Sequence, residues 1–245
     1  MEQLLKQFDR YGRKARLLPA VLLLLPALAT VFAWFPEARS ISFGSATALV
    51  WLAAGFALSQ FSRRAGKSIE KELWQSWDGP PTTRYLRHRN EEFNSVRRAT
   101  CHRLLQSHVP DVDLPSAEEE ADDPARADSI YEACVRYLIR RTRDTDHFDL
   151  VFKENINYGF HRNWLGLKPL GVAISVACLA LSSWLLWDRW TTGQNLDAAL
   201  LASAAVGALF VLAYAFWLTP NAVKLVAEAY AERLLEACED LDETA

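Results

Sequence analysis

The chain alternates between long stretches without charge and long stretches that hold all of its charge. Four apolar windows, 17–35, 41–60, 169–187 and 198–218, contain no Asp, Glu, Lys, Arg or His. Each is about 20 residues long, and a helix of that length crosses the roughly 30 Å hydrocarbon core of a bilayer. The pattern therefore predicts four transmembrane helices.

The order of the windows predicts two hairpins separated by a polar domain. Residues 17–61 form the first hairpin and residues 168–218 form the second. Between them, residues 62–167 place apolar side chains at three- to four-residue spacing, which is typical of amphipathic helices. A basic amphipathic segment, 1–16, and a C-terminal helical segment, 219–245, complete the layout. We expect an all-α integral membrane protein with a helical domain in its middle.

Capping and turn residues predict where the helices of the polar segments lie. Gly79-Pro80-Pro81 should end a helix that continues the second span into water. The C-terminal helix carries an apolar stripe that needs a partner, either the central helices or a neighbouring subunit. The predicted helices after Pro81 are 83–108, 128–143, 146–160 and 221–241, with an acidic loop over 109–127.

Lys and Arg are unevenly placed around the spans, and this asymmetry predicts the orientation. About 13 of them flank the spans on the side of the termini and the middle segment, against one in each short loop, Arg39 and Arg189. Basic loops tend to stay in the cytoplasm. We therefore expect both termini and residues 62–167 to lie in the cytoplasm, with the spans in a bacterial inner membrane.

Composition and motifs exclude several classes of protein. The net charge of −3 and the mean hydropathy of −0.04 are averages of apolar spans and charged segments. Four irregularly spaced cysteines do not form the framework of a disulfide-rich secreted domain. The spans lack the ionisable residues that coupled transport uses. No phosphate-binding Gly-rich loop and no Ser-His-Asp arrangement occurs, so we expect no cofactor, no metal ligands and no double-stranded DNA partner.

Small residues in the second and fourth spans allow close approach of helix backbones. Two interpretations stay open, namely packing within one chain and packing between subunits around a narrow apolar pore. The candidate packing or pore residues are Gly44, Ala48, Gly55, Ser203 and Gly207.

Basic residues of the middle segment form the main candidate ligand site, because Arg can hold phosphate in a bidentate manner. The same arginines could instead face the acidic loop, and the basic residues next to the third span could anchor it at the lipid headgroups. The candidate ligand-binding residues are Arg84, Arg87, Arg97, Arg98, His102, Arg103, His161 and Arg162.

One spacing resembles a catalytic motif. Four residues separate Arg97 from His102, as in the Arg–His motif of HEPN-type ribonucleases, which implies cleavage of an RNA phosphodiester. The second position of that motif is usually polar, and here it is Arg98. We expect a protein without enzymatic activity, with a HEPN-like ribonuclease as an alternative.

The layout of two hairpins around a helical cytoplasmic domain resembles the SMODS-associated four-transmembrane effectors of bacterial antiviral defence. The resemblance implies a homo-oligomer that permeabilises the membrane after a signal. The first hypothesis is therefore an oligomeric channel or membrane-perturbing effector, gated by its cytoplasmic domain after a nucleotide or protein activator binds. The second is a membrane-anchored scaffold or sensor whose cytoplasmic domain binds a protein or a phosphate-bearing ligand.

Overall fold

The computed structural model describes residues 10–35 and 45–241, without the side chains of residues 45–52. Within these residues the chain forms helices and no strand, which confirms the prediction of an all-α protein. Two of the predicted packing residues, Gly44 and the side chain of Ala48, lie outside the described residues.

The helices are numbered in chain order. They are α1 Gly12–Trp34, α2 Ser45–Ser76, α3 Pro81–Arg84, α4 Ser95–His108, α5 Ala117–Asp122, α6 Pro124–Arg141, α7 Asp149–Thr191, α8 Ala198–Trp217 and α9 Pro220–Glu236. The first turns of α1 and the last turn of α8 are π-helical.

Three helices in the described part of the chain are long and apolar enough to cross a membrane. They are α1, α7 and α8. The predicted second span falls partly outside the described residues, and its remaining part belongs to α2, which continues to Ser76 as the sequence predicts. Gly79, at a φ of 111°, follows the end of this helix.

The faces of α1 show why these helices suit a bilayer. Its buried face consists mainly of small residues and a hydroxyl, including Ala20, Thr30 and Ala33. Large apolar side chains such as Leu18 and Phe32 are more than 40% exposed. An aqueous helix buries its large apolar side chains, whereas a lipid-facing helix packs through small ones. This distribution therefore fits a membrane protein.

The chain divides into two compact units. Unit 1 comprises Met1–Glu70 and Gly159–Val223, and unit 2 comprises Lys71–Tyr158 and Lys224–Ala245. The expected middle domain began at residue 62 and ended at 167. The compact units instead assign the nine residues at each of its ends to the apolar helices of unit 1.

Unit 1 packs through close backbone contacts and buried hydroxyls. A Cβ on Gly166 would lie 2.3 Å from the Ala65 carbonyl oxygen, so α2 and α7 touch there without a side chain between them. Ser203 on α8 bonds to Thr30 of α1 at 3.0 Å and to Ser182 of α7 at 2.9 Å. These hydrogen bonds join three apolar helices at one point.

A hydrophobic core lies within the described residues of unit 2. Residues from α4, α6 and α9 meet in it, including the fully buried Leu105, Leu138 and Leu234. The apolar stripe of the C-terminal helix therefore packs against the central helices of its own chain, which was one of the two expected partners.

The helix predicted over 83–108 is wrong. A short helix, α3, ends at Arg84, and α4 begins only at Ser95. Asn90 and Asn94 cause the interruption, because their side-chain oxygens accept backbone N–H groups that a continuous helix would pair internally. Asn94 accepts from the amides of Val96 and Arg97, at 2.9 and 3.1 Å.

The other predictions for unit 2 need smaller corrections. The acidic loop 109–127 contains the short helix α5, which a capping box between Ser116 and Glu119 begins. Asp123, rather than Asp128, caps α6, and the short helix predicted before the third span is the start of the continuous α7.

Candidate functional site

Two buried arginines belong to unit 2, in and just after α3. Arg84 is 6% exposed and Arg87 is 5% exposed. Arginine is seldom buried without an ionic partner, because its charge loses water on burial. The surrounding carboxylates therefore determine what these residues can do.

Arg87 is held on two sides. Its Nε and Nη2 donate to the two carboxylate oxygens of Asp128, at 2.7 and 2.8 Å, in the bidentate geometry that suits a guanidinium. Its Nη1 donates to the backbone and side-chain oxygens of Asp78, at 2.6 and 2.7 Å. Arg87 thereby fixes the turn at Asp78 against α6.

Arg84 also bridges several segments. Its Nη1 donates to the Trp77 carbonyl at 3.1 Å, and its Nη2 donates to Glu92 and to Glu228 of α9, each at 2.6 Å. Its Nε is buried and makes no hydrogen bond. A cleft of about 440 Å³, the arginine cleft, opens beside these residues. It is lined by Asp78, Arg84, Arg87, Arg89, Asn90, Glu91 and Glu92.

Next to the arginines lies a histidine-centred network. The rings of His88 and His102 meet edge to face at 4.8 Å. The Nε2 atoms of His88 and His102 approach the carbonyl oxygens of Pro115 and Leu86, at 3.0 and 2.7 Å. A carbonyl only accepts, so each Nε2 carries a proton. Burial lowers the pKa of His102, and the nearby His88 lowers it further.

Glu120 completes this network from α5. Burial raises the pKa of its carboxyl, but hydrogen bonds from the Tyr131 hydroxyl and from the amides of His88 and Arg89 outweigh burial, so that the pKa is lowered overall. The Tyr131 hydroxyl donates to Glu120 at 2.7 Å, and burial together with this bond raises the pKa of Tyr131. The predicted acidic loop thus contributes one buried carboxylate.

The structure separates the two residues of the ribonuclease-like motif. Five positions along a helix turn through about 500°, so Arg97 and His102 point in directions about 140° apart on α4. Arg97 pairs with Glu236 of α9 and is 43% exposed, whereas His102 turns inward to the Leu86 carbonyl. The two side chains therefore have different surroundings and different partners.

The remaining candidate ligand-binding residues lie elsewhere. Arg98 donates to the Asn90 carbonyl at 2.6 Å, and Arg103 is exposed on α4. In unit 1, Arg162 is 6% exposed and forms an ion pair with Glu70, whereas His161 is half-buried next to Phe160. The basic candidates therefore belong to two units, and those of unit 2 differ in their exposure and their partners.

Two of the predicted packing residues, Ser203 and Gly207, contact helices of the same chain. Ser203 forms the hydroxyl contacts given above, and a Cβ on Gly207 would lie 3.2 Å from the Leu179 Cα. Gly55 is half-buried on α2.

The acidic and thiol groups show no arrangement for metal binding in the described residues. Asp144 accepts from the amides of Asp146 and His147, at 3.0 and 3.3 Å, and these bonds lower its pKa. Cys101, Cys134 and Cys238 are free thiols in the core of unit 2, and burial raises the pKa of Cys134 to about 11. A buried thiol of that pKa is unreactive at neutral pH.

Sequence reasoning missed the carboxylates that hold the arginines. Asp78, Asp128 and Glu228 lie 9, 41 and 144 positions from their arginine partners. One local signal could have indicated buried ion pairs, namely the many arginines in residues 84–103, a segment whose apolar spacing predicts burial. Comparisons with protein-family models, curated proteins and solved structures find no match to this chain.

Proposed function

We propose that this chain is a membrane-anchored sensor or scaffold. Its spans hold unit 2 at the cytoplasmic face of a bacterial inner membrane, and unit 2 recognises a protein or a phosphate-bearing ligand. The proposal includes four membrane crossings, with residues 41–60 as the second span and both termini inside.

The observation that carries this proposal is the use of small and polar span residues within one chain. Ser203 and Gly207 meet helices of unit 1, and the hydroxyls of Thr30, Ser182 and Ser203 satisfy one another. The large apolar residues of the same helices face outward. A bundle that packs in this way is a sufficient anchor and needs no second copy to bury its small residues.

A second observation weakens one argument for an oligomeric pore. An exposed apolar stripe on α9 would have favoured a contact between subunits. The stripe instead belongs to the core of unit 2. The buried charged residues that the structure describes in unit 2, Arg84, Arg87 and Glu120, belong to the arginine cleft and the histidine-centred network. This favours recognition over permeation as the role of the chain.

The test is ion flux through the purified full-length chain reconstituted in liposomes. We expect the vesicles to stay impermeable to K⁺ and to a small anionic dye, while alkaline carbonate washes leave the protein in the membrane. The matched control is a variant in which the outward-facing Leu201 and Leu209 become Ile, which keeps an apolar surface but changes any subunit contact.

Flux that the wild-type chain supports and the control variant loses would contradict an anchor. It would favour the oligomeric channel or effector that the layout resembles.

A further inference from the structure

The arginine cleft of unit 2 has inner and outer carboxylates that differ in exposure. Arg87 holds Asp128, whose side chain is 29% exposed, on its inner side and Asp78, which is 81% exposed, on its outer side. Arg84 likewise holds Glu228, which is 21% exposed, and Glu92, which is 52% exposed. Each buried guanidinium therefore has one fixed partner and one partner that reaches it from solvent.

We infer that this cleft binds a small soluble phosphate-bearing anion, which replaces the outer carboxylates of Asp78 and Glu92 on Arg87 and Arg84. The inference deepens the proposed function, on which it rests, because it names the ligand class that unit 2 recognises.

Exchange at the outer positions has a small energetic cost. Ion pairs with exposed carboxylates contribute less to stability than fully buried pairs, since water and salt compete for the carboxylate. The inner partners Asp128 and Glu228 remain in place, so neither arginine is left buried without a carboxylate. A phosphate offers several acceptor oxygens, which match the fork of donors on a guanidinium better than one flexible carboxylate does.

The rest of the cleft supplies further donors. Arg89 lines it and is 42% exposed, so it can turn toward an anion from its contact with Glu120. Asn90 also lines the cleft. Its side-chain oxygen accepts from the Phe93 amide, and the N–H₂ group of the same side chain is a hydrogen-bond donor. The buried Nε of Arg84 has no partner. These groups surround a volume that is within the range of small-molecule sites.

The cleft becomes less negative when the outer carboxylates move away. Asp78, Glu92 and Glu91 make the resting cleft acidic at its edge. After the exchange of the first two, four cations and four anions remain in and beside the cleft, so they no longer carry a net negative charge. The cations are Arg84, Arg87, Arg89 and Lys224, and the anions are Asp128, Glu120, Glu228 and Glu91.

The test measures binding of pyrophosphate to the full-length chain in phosphatidylcholine nanodiscs, by calorimetry at constant ionic strength set with sodium chloride. Substitution of Arg84 or Arg87 would disturb folding, so the informative variants remove outer carboxylates. Glu92→Gln should tighten binding by about fivefold, the equivalent of one exposed ion pair. Glu91→Gln is the matched control, because it removes the same charge from the next residue, which forms no ion pair among the described residues.

We expect the wild-type chain to bind pyrophosphate saturably. The affinity should rise with Glu92→Gln and change less than twofold with Glu91→Gln. No saturable binding up to about 10 mM pyrophosphate, a concentration that would detect even millimolar affinity, would overturn the inference. An equal gain in both variants would overturn it as well, because bulk charge alone would then explain the effect.

One further outcome separates this inference from binding of a lipid headgroup. In that outcome pyrophosphate does not bind, phosphatidylglycerol added to the nanodiscs raises the unfolding temperature, and Glu92→Gln enlarges that rise. A lipid headgroup would then supply the phosphate, and the assignment to a soluble anion would be overturned. The liposome flux test does not depend on the cleft, so the proposed anchor and the ligand site can fail independently.

Discussion

Individual glycines set how closely the helices of unit 1 approach one another. A Cβ on Gly66 would lie 2.8 Å from the Asn163 Cα, and one on Gly166 would lie 2.3 Å from the Ala65 carbonyl oxygen. Real Cβ atoms do not approach backbone atoms so closely, so α2 and α7 touch only because these positions lack side chains. A glycine in a helix normally lowers helix stability, and here packing offsets that loss.

Gly166→Ala tests this contact. The added methyl has to push α2 away from α7, and we expect a loss of about 1–3 kcal/mol, which is typical of overpacking. Thermal unfolding in detergent measures it. Gly193→Ala is the control, because it adds the same methyl where no neighbouring atom lies within 4 Å. Its loss of stability should be only the cost of a left-handed backbone at a residue with a Cβ, about 1 kcal/mol. Equal losses in both variants would show that the helix contact is unimportant.

His102 should make the stability of unit 2 depend on pH. Its pKa in the folded protein lies below the ordinary value of 6.5, because burial disfavours the charged ring and outweighs the hydrogen bond to the Leu86 carbonyl, which raises the pKa. The unfolded chain therefore binds the proton more readily than the folded chain. The stability contributed by the neutral ring is complete above pH 6.5 and is lost as the pH falls below 6.5 toward the folded pKa.

Unfolding temperatures between pH 7.5 and 5.5 test this expectation. The wild-type chain should lose stability on acidification, and His102→Gln should reduce that loss. His147→Gln is the control, because His147 is exposed at the turn before α7. If His102→Gln and the wild-type chain lose stability in parallel, protonation of His102 is not the cause.

Among the elements, the connection between α3 and α4 departs furthest from the sequence-based expectation. Its apolar spacing fits a helix, and Tyr85, Leu86 and Phe93 are indeed buried. Burial alone does not identify a helix, however, because a loop can bury the same side chains when polar groups satisfy its backbone. Asn90, Glu120 and His102 do so here, at the Phe93 amide, the His88 amide and the Leu86 carbonyl.

Arg87→Gln should destabilise unit 2 strongly. Removing the guanidinium leaves the Asp128 carboxylate without its bidentate partner in a mostly buried position, and such losses are about 3–5 kcal/mol. Arg136→Gln is the matched control, since Arg136 forms an exposed pair with Glu132 at 2.9 Å and should lose less than about 0.5 kcal/mol. Thermal unfolding of both variants measures the difference. A small effect of Arg87→Gln would mean that water replaces the guanidinium.

For the molecule as a whole, the orientation in the membrane is the proposal that is easiest to test. We expect a cysteine at Gln194, in the loop before α8, to react with a membrane-impermeant maleimide in intact spheroplasts. A cysteine at Asp113, in unit 2, should react only after the membrane is permeabilised. The unsubstituted chain gives the background, because all four of its cysteines are buried. Labelling of Asp113→Cys in intact spheroplasts would reverse the proposed orientation.

The sequence alone determined the helical class, the apolar helices and the approximate position of most element ends. These properties are local, because span length, capping residues and glycine-proline turns act within a few residues of one another. The stripe of the C-terminal helix also predicted that it would be buried. The sequence did not decide whether the central helices or a neighbouring subunit buries it.

Only the tertiary structure decided the roles of the arginines and of the small residues in the spans. Arg84 and Arg97 occur in one basic segment, yet Arg84 is buried with Glu228 and Arg97 lies at the surface with Glu236. Ser203 and Gly207 contact helices of their own chain. Such pairings join residues far apart in sequence, and the energy of a charge or a close contact depends on what surrounds it in space, which no local pattern encodes.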